Sequence, residues 1–419
     1  MRLRHRLLHT SDWHLGQSLH NFERSYEHQC FLDWLLDTIV SEEIDTLLVA
    51  GDIYDNANPA SASQKQLYRF LQQAKARAPH LNLIIIAGNH DSPGRLEAPA
   101  PLLEAHGTRV IGHVARDAHG AIDLERLILP LTGKSGAIEA WCLAIPFLRP
   151  GDVPRLEAYL GADAAADLDP YLAGIAHLYE QTLKLALARR QPDQAILAMG
   201  HCHMVGGEVS NNSERRIVIG GTEMLPAGIF DAGIAYAALG HLHLAQMVGK
   251  QPHIRYSGSP IPLSFAEIAY PHQVLRIDLD GATLGAVTSI AVPRAVQLLR
   301  VPAKPAPIEQ VLAELSALEL PEGLPEHAWP LLEVRVRLDA PQPGLRARIE
   351  ALLEGKAVRL AKIETSSAAR DPDRIDMSSL DMLEQLQPDD IFQRLYQQRF
   401  GSAAPGEQMS AFAELMLPS

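Results

Sequence analysis

The sequence predicts a layered α/β fold, and three observations carry that prediction. Short apolar runs alternate with helical stripes along the first hundred residues. Five such runs in the whole chain stop at a turn, four of them on glycine, and the residues just past the stops are Asp, Asn and His. Branched apolar runs of about four to eight residues suit strands buried on both faces. The C-terminal edge of such strands is where open α/β sheets bind ligands.

The elements follow in order. Leu7–Thr10 reads as the first strand and runs into Ser11-Asp12-Trp13-His14. A helix is expected near Arg24–Ser41, where Phe31, Leu32, Leu35, Leu36 and Ile39 keep a helical stripe. The run Leu47-Leu48-Val49-Ala50, within a strand over Thr46–Ala50, stops on Gly51-Asp52. A second helix over Ser63–Ala76 carries Leu67, Phe70, Leu71 and Ala74 on one face, and a strand over Leu83–Ala87 leads into Gly88-Asn89-His90-Asp91. This strand–helix alternation is the pattern of an α/β sheet.

Arg109–Pro146 reads as shorter strands with turns at Gly112, Gly120, Gly133 and Gly136. Helix is expected over Tyr171–Arg190. The strand over Ala195–Met199 leads into Gly200-His201-Cys202-His203, and that over Tyr236–Leu239 into Gly240-His241-Leu242-His243. Ile217–Ile219, Ile254–Ser257 and Val274–Asp278 read as further strands, with the first domain (1–293) ending there. A smaller α+β module is expected over 294–369. It has a strand at Val296–Val301, a proline-rich link to a helix at Ile308–Leu318, and a half-solvated strand at Leu331–Leu338 bearing Glu333, Arg335 and Arg337. A helix at Leu345–Leu353 and a strand at Ala357–Ile363 complete it. In 370–419, Leu380, Leu383 and Leu386 mark one amphipathic helix, and Ile391, Phe392, Leu395, Tyr396 and Phe400 a second.

Composition narrows the class. A net charge of −13 over 419 residues argues against coating DNA by bulk charge, though not against an enzyme whose positive potential is local. Aromatics at 5% offer no obvious stacking platform for bases. Three cysteines make no disulfide framework and fit a reducing cytoplasm. No run is apolar and long enough to span a bilayer, so a cytoplasmic protein without a membrane segment is expected.

The strand ends hold the chemistry. On an extended strand, residues two apart point the same way, so Asp12 with His14, and His241 with His243, are expected to address one ion each. Imidazole and carboxylate suit Mn, Fe or Zn. Asn89 offers a neutral amide oxygen, and Asp52 has two carboxylate oxygens with which to bridge two ions. Asp12, His14, Asp52, Asn89, His201, His241 and His243 then form a two-ion site. Two divalent ions against two carboxylates leave a field that attracts phosphate and activates water. His90 follows a ligand, lies at the rim, and is placed to protonate a leaving oxygen, with Asp91 orienting it. Singly, each motif is more often an ordinary strand-end residue or turn; the set of five changes that balance. Asp55 is expected as a turn or supporting residue, and His203 as structural or solvent-facing.

Asp12-x-His14, Gly51-Asp52, Gly88-Asn89-His90-Asp91, Gly200-His201 and Gly240-His241-x-His243, in this order, resemble the calcineurin-like metallophosphoesterases. The stretches His9–Gln17 and Tyr256–Phe265 narrow the resemblance to the nuclease subunits of bacterial double-strand-break repair complexes. The resemblance covers essentially all of the first domain; over the smaller module it rests on architecture.

It implies a four-layer α/β/β/α sandwich with a small capping domain and C-terminal partner-binding helices. It further implies two manganese ions, one held by Asp12, His14, Asp52 and His243, the other by Asp52, Asn89, His201 and His241. His90 takes the place of the family's catalytic histidine. The implied activity is 3′–5′ exonuclease action on duplex DNA ends and endonuclease action on single strands and hairpins. The implied partners are DNA, a coiled-coil ATPase docked on the C-terminal helices, and a second copy of the chain, giving a heterotetramer. Two other readings stay open at this point: a phosphodiesterase of small molecules, which the extra module and amphipathic tail disfavour, and a non-catalytic scaffold, which the intact ligand set disfavours.

Overall fold

The computed structural model describes residues 4–154, 169–205, 224–230, 232–338 and 342–367. Contacts divide the chain into two compact units, Met1–Val336 with Gly344–Glu364, and Arg337–Pro343 with Thr365–Ser419. The first holds the sheets and the site. The second lies almost wholly outside the described residues, as do the two C-terminal helices expected there and the strand expected at Ile217–Ile219.

The chain opens with β1 (Arg4–Thr10), a small ribbon of β2 (Ser18–Leu19) and β3 (Phe22–Glu23), and α1 (Ser25–Ser41). Next come β4 (Thr46–Ala50), α2 (Ser61–Arg77), β5 (Asn82–Ile86), the short helices α3 (Pro93–Glu97) and α4 (Ala100–Glu104), and β6 (Thr108–Ile111). They are followed by β7 (Ile128–Thr132), β8 (Ile138–Ala144), α5 (Pro170–Arg189), β9 (Ala195–His201) and β10 (Tyr236–Gly240). β11 (Gln246–Val248), β12 (Gln251–Tyr256), β13 (Gln273–Asp280) and β14 (Thr283–Ala291) close the larger part. Strand β14 has no counterpart in the sequence reading. It pairs with β13 but is largely exposed, so it carries no apolar alternation to read.

Two six-stranded sheets result, in the orders β14-β13-β1-β4-β5-β6 and β11-β12-β10-β9-β8-β7. β1, β4, β5 and β6 run parallel in the first; β8, β9, β10 and β12 run parallel in the second. The period of two explains the unbroken apolar runs. In β4, Leu47 and Val49 join the core with α1 and α2, while Leu48 and Ala50 join the core shared with the second sheet. Leu83 and Ile85 against Ile84 and Ile86 divide β5 the same way. Ile175, Leu178 and Leu183 of α5 close that second core. The layers are therefore helix, sheet, sheet, helix, an α/β fold of sandwich form. Among the described residues no helix is long and apolar enough to cross a membrane.

β15 (Leu298–Ala306), α6 (Ile308–Ser316), β16 (Leu331–Leu338), α7 (Leu345–Leu353) and β17 (Arg359–Ser367) form a smaller α+β module with sheet order β15-β16-β17. The segment Pro302–Ala306 expected as a link belongs to β15, an edge strand, where a missing N–H can face away from the ladder. Glu333 is buried rather than solvated, because Arg300 Nε at 2.5 Å and Lys362 Nζ at 3.5 Å hold its carboxylate. Leu19, Phe265, Val296, Leu298 and Leu331 join this module to the first.

Candidate metal centre

The parallel strands of both sheets end at one edge, and hydrogen bonds there stitch the sheets together. His201 Nδ1–H donates to the Ala50 carbonyl at 2.9 Å, and Phe147 N–H to the Ala87 carbonyl at 2.8 Å. Glycines permit this approach and, at Gly88, that of the two loops after β4 and β5. A Cβ on Gly240 would lie 1.9 Å from the Ala50 oxygen, one on Gly51 2.2 Å from His201 Nδ1, and one on Gly88 2.1 Å from Asp52 Oδ1. These are the glycines that precede or adjoin the candidate ligands, which gives the sequence pattern its physical reason.

The ligand pairs do not aim at the site as extended strands, contrary to the sequence reading. β1 ends at Thr10 and β10 at Gly240. Asp12, His14, Asp52 and His241 instead have φ of 54°, 47°, 49° and 102°, conformations that L residues seldom adopt. Such positions cost about 1–3 kcal/mol each and persist where surroundings over-determine them. Here the surroundings are specific. Asp12 N–H donates to Gly51 O, His14 N–H to Asp52 O, and His241 N–H to Asp12 Oδ1, all at 3.0 Å. Between Asp12 and His14, the Trp13 ring is fully buried edge-on to Phe31 and Phe70 of the helical layer.

The side chains converge. Ligand atoms of Asp12, His14 and His243 lie within 4.8 Å of one another; so do those of Asp12, Asp52 and His201, and of His14, Asp52 and His90. Asp52 Oδ2 is 3.5 Å from His14 Nε2 and 3.4 Å from His201 Nε2. Asn89 Oδ1 is 2.9 Å from His201 Nε2 and 3.2 Å from His241 Nδ1. Asp12, His14, Asp52, His201, His241 and His243 are buried, whereas Asn89 and His90 are half-buried and mark the mouth.

The donor set fits divalent cations on observations internal to the chain. His14 Nε2 is buried with no hydrogen-bond partner, and it faces the Asp52 carboxylate. Because a carbonyl can only accept, His201 carries its proton on Nδ1, so its Nε2 lone pair and Asn89 Oδ1 face each other as acceptors. A cation between them satisfies both, as would an added proton or a flipped Asn89 amide. Burial pulls the His201 imidazole down, but the Asp52 carboxylate outweighs burial and lifts it to about 9. Burial and then the neighbouring His201 hold His241 well below its ordinary value. The side chains gathered here are rich in lone pairs and negative charge, the chemistry of a cation site.

Glu267, Ser257 and Ser11 escaped the sequence reading, Asp91 was given another role, and Asp55 stands beside the ligands as the supporting residue expected. Glu267 is fully buried, and its Oε1 lies 3.0 Å from His243 Nδ1. A carboxylate there fixes the ring so that Nε2 faces the ligands. Ser257 Oγ lies 2.9 Å from Ser11 Oγ, which donates to Asp12 Oδ2 at 2.5 Å. Both Ser257 and Glu267 belong to or follow the Tyr256–Phe265 stretch, so that motif was a signal for them. Asp55 Oδ1 is 3.3 Å from His14 Nδ1, and the Asp55 carbonyl accepts from His90 Nδ1 at 2.7 Å. Asp91 does not orient His90. Its carboxylate accepts from the N–H groups of Ile53, Tyr54 and Gly88 and so ties the His90 loop to the Asp52 loop. His203 stands outside the ligand groups, its ring 6.2 Å from that of His241.

The family model described as calcineurin-like phosphoesterase matches residues 5–245, and the type 5 capsule protein repressor C-terminal domain matches 294–400. The SbcD component of the SbcCD nuclease of Rhodobacter capsulatus is 40% identical over 359 residues, covering 85% of this chain and 86% of that protein. The chain belongs to the SbcD family. Other SbcD proteins, from Escherichia coli K12 and Bacillus subtilis 168, are 33% and 30% identical, covering 87% and 98% of this chain and 86% and 97% of their own lengths. As an SbcD-family metallophosphoesterase the chain is a metal-dependent hydrolase of phosphoesters, of the nuclease type.

Proposed function

We propose that this chain is the Mn²⁺-dependent nuclease subunit of an SbcCD-type complex, working in DNA repair and recombination with an SbcC-like coiled-coil ATPase. The observation that carries the proposal is the convergent donor set, with His90 at its mouth and Asp52 at its centre. Asp12, His14, Asp52 and His243 would hold one ion; Asp52, Asn89, His201 and His241 would hold the other. Ions bound there supply Lewis acidity toward a phosphoryl oxygen and lower the pKa of water.

The chain's own residues do the rest. His90 Nδ1–H donates a hydrogen bond to the Asp55 carbonyl, which turns Nε2 toward the leaving O3′ oxygen; as the doubly protonated imidazolium, His90 hands its Nε2 proton to that oxygen and is left neutral on Nδ1–H. Asp55 orients that ring through its backbone and steadies His14 through its side chain. Asp91 holds the two ligand loops in register without touching the substrate. The half-buried Asn89 and His90 face the side from which a phosphodiester enters.

The finer activity follows the resemblance: 3′–5′ exonuclease action on duplex ends and endonuclease action on single strands and hairpins. The module at 294–369 would help hold DNA, 370–419 would dock the ATPase, and two copies of the chain would pair in a heterotetramer. Release of nucleotides from linear duplex DNA, with Mn²⁺ or Mg²⁺ and beside a His90→Ala control, tests the reading. Mn²⁺-dependent release that the control loses supports it. Failure of both ions, even with the ATPase and ATP added, overturns it.

A further inference from the structure

The turn after β8 places one cation at the site's edge that the ligand set does not use. Pro146-Phe147-Leu148-Arg149 leaves β8, whose Ala144 lies opposite Met199 of β9, two residues before His201. The backbone of this turn is tied down. Phe147 N–H donates to Ala87 O, and Tyr171 Oη–H donates to Leu148 O at 2.6 Å. Arg149 N–H donates to Asp152 Oδ2 at 2.9 Å, and Asp152 N–H returns to Arg149 O at 2.8 Å. The Phe147 ring packs edge-on to the His201 ring, 6.3 Å between centroids, and carries the Arg149 guanidinium carbon 5.3 Å from its own centroid.

The guanidinium is held but not neutralised. Its Nη2 donates to the carbonyl of Asp91, the residue that follows His90, at 3.3 Å. Its Nη1 is buried and has no hydrogen-bond partner. Among the described residues no carboxylate forms an ion pair with it, and the Asp152 carboxylate is engaged by the Arg149 backbone. This sets it apart from Arg6, Arg276, Arg300 and Arg335, each of which lies within 3.2 Å of an acidic oxygen. An arginine with a donor left buried and unmatched is costly unless something is meant to meet it. Its fork suits a phosphate, whose oxygens can accept two parallel N–H bonds. In a chain of net charge −13, a fixed local cation matters for holding a polyanion.

We propose that Arg149 binds a non-bridging phosphate oxygen of the DNA strand seated at the metal centre, so that it positions the strand against His90. The inference rests on the DNA reading given above and deepens it. Phe147 stiffens the guanidinium from below, and the Asp91 carbonyl aims it, so the phosphate is met by a preorganised donor rather than a searching side chain.

The test is binding of a fluorescent duplex with a short single-stranded end to the full chain, in Ca²⁺ with DNA integrity checked, across a salt series. Arg149→Gln is expected to weaken binding about five- to tenfold at low salt. It should also reduce the slope of log affinity against log salt by about 1, and Arg149→Lys should restore the slope. Arg149→Gln with wild-type affinity and slope but a lower cleavage rate would overturn the inference and make the residue a brace for the Asp91 carbonyl. If thermal melting shows Arg149→Gln to be unfolded, Arg149→Met carries the same comparison. Absence of DNA binding by the wild-type chain would instead sink the DNA reading, and this inference with it.

Discussion

Glu267 Oε1 lies 3.0 Å from His243 Nδ1, and both residues are buried. The second carboxylate oxygen accepts from Leu263 N–H at 2.7 Å, so the glutamate cannot swing away from the ring. It fixes His243 as the Nδ1–H tautomer with Nε2 toward Asp12 and His14. Glu267→Gln is expected to lower Mn²⁺ affinity about 10- to 100-fold with little loss of fold stability. Mn²⁺ titration alongside thermal melting in EDTA would read both. Unchanged affinity would show that the buried carboxylate serves the fold alone.

Gly88 meets Asp52 too closely for any side chain. A Cβ would sit 2.1 Å from Asp52 Oδ1 and 2.3 Å from its backbone nitrogen. Gly88→Ala should destabilise the metal-free chain by about 1–3 kcal/mol and displace Asp52, weakening metal binding. Gly94→Ala is the control, since nothing lies within 4 Å of a Cβ there. Equal urea midpoints for the two variants would contradict the argument.

Most of the sandwich was legible because a strand buried on both faces must be apolar throughout, and β4 and β5 are. The marks of the site were legible because Gly51 and Gly240 have to be glycine for the sheets to meet and Gly88 for the loops after β4 and β5 to meet, which left Gly-Asp, Gly-Asn-His and Gly-His as readable marks. What the sequence hid was conformation and distance along the chain. Nothing in Asp12-Trp13-His14 announces left-handed backbone, and the period-two argument for these pairs was the wrong reason for a convergence that left-handed turns produce. Glu267 lies 24 residues from His243, and no local spacing connects them. Asp91 looked like a partner for its neighbour His90 because adjacency suggests contact; its carboxylate instead reaches back to Ile53 and Tyr54. Glu333 alternates like a solvated residue, and only Arg300 and Lys362 across the sheet explain its burial.

His9 gives a pH dependence with a definite sign. Its Nε2–H donates to Leu239 O at 3.1 Å, which leaves Nδ1 to accept from Tyr236 Oη–H at 2.9 Å. Burial pushes this imidazole from its ordinary 6.5 down to about 3. A depressed folded value means the ring takes a proton in the unfolded chain first. Its stabilisation is therefore present above pH 6.5 and is lost as pH falls toward 3. Between pH 7.5 and 4.5 this ring should account for about 3 kcal/mol of lost stability. Urea unfolding in EDTA at the two pH values should show a loss smaller by about that amount in His9→Gln than in the wild-type chain. Equal losses would show that His9 is not buried neutral.

The Asp52 carboxylate stands at the centre of the site, 3.5 Å from His14 and 3.4 Å from His201, where both ions would share it. Counting Mn²⁺ bound per chain tests that sharing most directly, by equilibrium dialysis with the metal measured at a concentration that saturates the wild-type protein. Two ions per wild-type chain are expected, with both sites weakened together in Asp52→Asn and one spared in Asp12→Asn. One ion retained at wild-type affinity in Asp52→Asn would contradict the shared carboxylate.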